Sequence, residues 1–128
     1  MEDRYSQGFN KMESQLGESG KSILASFPEK FEDIGKYILE FVFADLGGRN
    51  ILEDKYREMI TIVSLISQGD TANQLKLHIS CALDAGLTEN EVAETIIQCV
   101  PHVGFPKVLN AISIASFVFE QRNEDENE

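Results

Sequence analysis

Thiols and positive charge are both scarce in this sequence. Its two cysteines, Cys81 and Cys99, stand apart and form no CxxC pair. That spacing suggests neither a disulfide framework nor a thiolate zinc site, and a reducing cytoplasm is the simplest compartment. Lysine and arginine total 11 against 22 acidic residues, a formal net charge of −11. Nucleic-acid backbones and anionic membrane surfaces would be repelled, so neither is expected as a partner. The most apolar run, Met59–Ser67 (MITIVSLIS), is far shorter than the ~20 residues needed to cross a bilayer. The start, MEDRYSQGFN, lacks the apolar core of a signal peptide. There is no glycine-rich phosphate loop, no GxSxG elbow and no HExxH or similar ligand spacing. No metal and no cofactor are therefore expected.

What is present reads as helices joined by short loops, with no alternating strand pattern. Tyr5, Phe9, Met12 and Leu16 recur at helical spacing, ended by Gly17 and Gly20. Ser26-Phe27-Pro28-Glu29 has the form of a capping box. The helix it opens is expected to turn Phe31, Ile34, Tyr37, Ile38, Phe41 and Val42 inward, and Gly47-Gly48 closes it. A central buried helix follows from about Glu53 to Ser67, then Thr71–Gln74 and Thr88–Glu91 form two further boxes. The last helix starts at Pro106. Its stretch AISIASFVFE is apolar on more than one side, which suggests burial against another subunit. These features predict an all-α, single-domain bundle of about six helices over residues 1–122, with its core at 53–116 and a disordered acidic tail, NEDENE, at 123–128.

The stretch QLKLHISCALDAG sets a histidine and a cysteine three residues apart on one helix. His78 and Cys81 then share a side with Gln74 and Ala85, flanking the core line of Leu75, Ile79 and Ala82. Two readings are open: a cleft residue, or a boundary histidine satisfied by a carbonyl with Cys81 as small apolar filler. Glu58 lines up with Ile62 and Leu65, so a carboxylate shares a stripe with aliphatics. It is either a partly dry acid–base group or a first-turn glutamate favouring the positive helix end. His102, in the stiff loop PHVGFP, can face a cleft or bond a loose carbonyl. Arg49, Arg57, Lys55, Lys76 and Lys107 are the nearby cations. An inward-turned one could hold a carboxylate, against the ordinary reading of solvated surface charge.

Arg57-Glu58-Met59, then QLKLHISCALDAGLTENEVAETIIQ, then PHVGFPKVLNAI together resemble the carboxymuconolactone decarboxylase family, from about Glu53 to Ser116. The resemblance implies an alkylhydroperoxidase D-like all-helical fold assembled into a ring, here a homotrimer or homohexamer, with active sites near subunit contacts. One branch of the family uses a CxxC before the helix histidine for thiol peroxidation. The corresponding stretch here, Asp70–Gln74, has no cysteine. The other branch decarboxylates a small carboxylated lactone by general acid–base chemistry without a cofactor, in the catabolism of aromatic compounds. It implies catalytic roles for His78, Glu58 and His102, with Arg49, Arg57, Gln74 and Cys81 as substrate-binding candidates. His102 stands where many members carry tyrosine, and Asp45–Asn50 lacks the proline-rich form of a dedicated decarboxylase. A thiol peroxidase using Cys81, alone or with Cys99, and a non-catalytic scaffold are the alternatives.

Overall fold

A computed structural model describes residues 2–127. Among the described residues there are helices and turns but no strand, as the sequence predicts. They fall into two compact units, Met1–Leu52 and Glu53–Glu128, where a single domain was expected. The boundary coincides with the start of the expected core segment.

The first unit opens with α1 (Arg4–Leu16), whose N-cap Asp3 accepts a hydrogen bond from the Ser6 amide at 2.7 Å. After α2 (Glu18–Ala25), a 3-10 turn (Glu29–Phe31) and α3 (Asp33–Tyr37) comes a π-helical segment, Ile38–Leu46. That segment packs along α1. Met12 of α1 and Leu39 of the segment are buried, and Gly8 lets the Leu39 carbonyl approach so closely that any Cβ would overlap it. Arg4 joins the two elements through Asp45, at 2.7 and 3.0 Å, and Glu40 at 3.2 Å.

Two expectations fail in this unit. Ser26 does not cap a following helix: its hydroxyl donates to the Ile23 carbonyl at 2.6 Å and closes α2 instead. Phe31, Ile34, Tyr37, Phe41 and Val42 are exposed rather than inward, and Leu39 takes the core position. The i→i+5 bonding of the π segment, seen in the Gly47 amide donating to the Val42 carbonyl at 2.8 Å, adds residues to each turn. The inward face therefore drifts off the 3.6-residue pattern.

The second unit holds α4 (Asp54–Gln68), α5 (Ala72–Asp84), α6 (Glu89–Ile97), the single turn α7 (Val100–Val103) and α8 (Phe105–Glu126). One cluster joins Ile62 and Ile66 of α4, Leu75, Ile79 and Ala82 of α5, Val92 and Ile96 of α6, and Val108, Ala111, Ala115 and Val118 of α8. These are the i, i+3, i+4 positions of each helix, so the sequence period translates directly into the core. Gly69, at φ 72°, ends α4 in the left-handed region and lets the chain reverse into α5. The Thr88–Glu91 capping box forms as expected, with both reciprocal bonds at 2.9–3.0 Å. Thr71 does not cap α5; its hydroxyl donates to the Leu65 carbonyl at 2.7 Å.

The expected disordered tail is also corrected. Helix α8 runs on to Glu126, while Glu128 lies outside the described residues. Arg122 donates to the Ser80 hydroxyl and the Asp84 carboxylate, both at 2.8 Å, anchoring the late turns of α8 to α5. Extending an existing helix needs no new nucleus, so the acidic residues continue it. On the surface of this unit Leu109, Ile112 and Phe117 of α8 and Ile60 of α4 are exposed, so the unit's own core does not cover every apolar side of these helices. No described helix is long and apolar enough to cross a membrane.

Candidate functional site

Helices α4 and α5 pack against each other and are joined only by residues 69–71. A loop that short makes the pair antiparallel, so the first turns of α4 lie beside the later turns of α5. Glu58, one turn before the buried Ile62, and His78, next to the buried Ile79, meet at this flank of the core. The Glu58 carboxylate lies 2.9 Å from His78 Nδ1. In the tautomer that donates Nδ1–H to the Glu58 oxygen, Nε2 is the ring nitrogen turned away from this bond. Both heads are partly dry: the Glu58 side chain is 16% exposed and that of His78 31%.

Cys81, one turn after His78 on the same face, completes a cluster. One donor atom each from Glu58, His78 and Cys81 lies within 4.8 Å of the other two. Burial pushes the Cys81 thiol up to about 12, and the negative charges of Glu58 and Asp84 add to the effect. Such a thiol is protonated at neutral pH, the opposite of the low-pKa nucleophile that peroxidation requires. Cys99 is buried too, raised by the same loss of solvation, and its thiol donates to the Thr95 carbonyl at 3.4 Å.

Arg57 is partly buried beside Glu58 in sequence and lies 3.8 Å from Asp54. Gln74 is exposed in the first turn of α5, one turn before His78. His102 is exposed on α7 and is not part of the Glu58–His78–Cys81 cluster. Arg49 is exposed in the first unit. Sequence spacing put His78 and Cys81 on one side of a helix, but it could not show that the Glu58 carboxylate comes within 4.8 Å of the Cys81 sulfur as well. That approach crosses from one helix to another.

Fold and site together define an all-α protein with a buried-edge histidine–glutamate pair. The carboxymuconolactone decarboxylase family model matches residues 32–116, more than half of the chain. The chain belongs to the carboxymuconolactone decarboxylase family. It is similar to 4-carboxymuconolactone decarboxylase of Acinetobacter baylyi, 28% identical over 120 residues that cover 93% of this chain and 89% of that protein. It is also similar to an uncharacterized 15.0 kDa protein from the nqo9-nqo10 intergenic region of Paracoccus denitrificans, 31% identical over 91% of this chain and 97% of the other.

Proposed function

We propose that this protein is a decarboxylase acting on a small carboxylated lactone or related acid, with His78 as general acid. The 2.9 Å contact between Glu58 and His78 Nδ1 carries the reading. In the reaction the bond to the carboxylate carbon breaks and carbon dioxide leaves. Its electron pair passes into the conjugated lactone as a dienolate. A proton from His78 Nε2 then goes to carbon, and solvent returns one to the ring. Glu58 holds the ring by Nδ1, fixing its orientation and balancing the imidazolium that precedes the transfer. Arg57 and Gln74, on the same two helices, are the candidates for holding the carboxylate and lactone oxygens, with His102 of the same unit as a further donor. The exposed apolar residues of α8 support self-association into a ring-like homo-oligomer, trimer or hexamer.

Turnover of carboxylated muconolactones by His78→Ala is the test, with sedimentation to follow assembly. Loss of a positioned general acid should lower kcat by about 10²–10⁴-fold with the sedimentation coefficient unchanged. A folded, assembled variant that keeps wild-type turnover would overturn the assignment.

A further inference from the structure

Glu58, His78 and Cys81 also compose an oxygen, nitrogen and sulfur donor set held by two packed helices. We infer that this cluster is a binding site for a thiophilic divalent ion, zinc above all. Carboxylate, imidazole and thiolate are the ligand types of zinc sites with three protein ligands and an open fourth position. Around a zinc ion at bonds of about 2.0–2.3 Å, tetrahedral donors lie roughly 3.3–3.8 Å apart. The present separations, from 2.9 Å between Glu58 and His78 to at most 4.8 Å across the set, bracket that range. The Glu58 carboxylate sets a negative group beside the sulfur, while Asp84 and Arg122, paired at 2.8 Å, act on it with opposite signs. The one-third exposure of His78 gives an ion a way in.

The proton balance is definite. The ion takes the place of the Nδ1 proton, which moves to Nε2, and the Cys81 thiol loses its proton to solvent as the sulfur–metal bond forms. From a neutral imidazole, each ion bound therefore releases one proton. Burial opposes a thiolate at this position only while no positive charge accompanies it, and a coordinated dication supplies that charge. An ion seated here also withdraws His78 from proton transfer, so on the reading proposed above zinc would act as an inhibitor. Binding itself does not depend on that reading.

Cobalt(II) provides the probe, added anaerobically to chelator-treated protein. A 1:1 near-ultraviolet thiolate-to-cobalt charge-transfer band, with tetrahedral visible bands displaced by zinc, is the expected result. Cys81→Ser should abolish the charge-transfer band, and His78→Gln should weaken zinc binding by at least tenfold. In the unmodified protein, zinc should release about one proton per ion at constant pH and protect Cys81 from alkylation. This readout stands even if the serine variant fails to fold. No charge-transfer band in the wild type, or a band undiminished in folded Cys81→Ser, would overturn the site. Loss of turnover in His78→Ala with no cobalt band would sink the metal inference and leave the acid–base reading intact.

Discussion

The burial of Cys81 makes its reactivity a direct measure of how the site is built. A thiol held at about 12 instead of 9.0 carries about a thousandfold less thiolate at pH 8 than an ordinary one. The more basic thiolate is the better nucleophile, and a Brønsted slope near 0.45 returns roughly 20-fold of that loss. Alkylation of Cys81 in the folded protein should therefore run about 50-fold slower than in the same chain unfolded in urea. Occlusion adds to this, since the residue is 8% exposed. Iodoacetamide labelling at pH 8, quenched over time and read at each cysteine by peptide mass, gives both rates in one experiment. The sign with pH is also fixed. The unfolded thiol ionises near 9.0 while the folded one keeps its proton until about 12. Unfolding therefore becomes easier as pH rises through that interval, and Cys81→Ala should flatten this alkaline decline relative to wild type. Equal labelling rates in the folded and unfolded chain would refute the burial argument and restore a thiol-based reaction as a serious reading.

Two substitutions away from the site test the packing logic. Gly8→Ala places a Cβ onto the Leu39 carbonyl oxygen, a backbone atom that cannot rotate away, and should cost the protein about 1–3 kcal/mol in urea unfolding. A loss below about 0.5 kcal/mol would show that α1 and the π segment are not so closely apposed. Thr88→Ala removes the side-chain acceptor for the Glu91 amide and should cost about 1 kcal/mol, most of it recovered by Thr88→Ser.

The second unit was legible in the sequence because its helices follow the 3.6-residue period without interruption. Ile62 and Ile66, Leu75, Ile79 and Ala82, and Val92 and Ile96 are each spaced to bury one stripe, and each is buried. In the first unit α1 was legible, ending at Gly17 as its spacing predicts, but the segment Ile38–Leu46 was not, because its apolar residues are read with the wrong period. A stretch of nine residues bonded i→i+5 looks like ordinary helix in composition, yet it turns Leu39 inward and leaves Phe41 and Val42 outside. Caps were only partly readable, since a hydroxyl can satisfy either the helix it follows or the helix it precedes. Ser26 and Thr71 donate backward to carbonyls, and Thr88 accepts forward from Glu91.

The candidate site divides along the same physical line. Residues on one helix declare their shared face through spacing, so His78 and Cys81 could be paired without a structure. Contact between helices depends on their axial offset, which no period encodes. The three-residue reversal at Gly69 settles it here, bringing residue 58 to residue 78. The isolated features of the sequence then acquire one explanation. A carboxylate on an aliphatic stripe and a histidine beside a core line are each awkward alone, because a partly buried polar head needs a partner. Facing each other at 2.9 Å, they supply it. Cys81 is the remainder of that arrangement: a thiol kept protonated first by its burial and then by the charge of the same carboxylate that orients the imidazole.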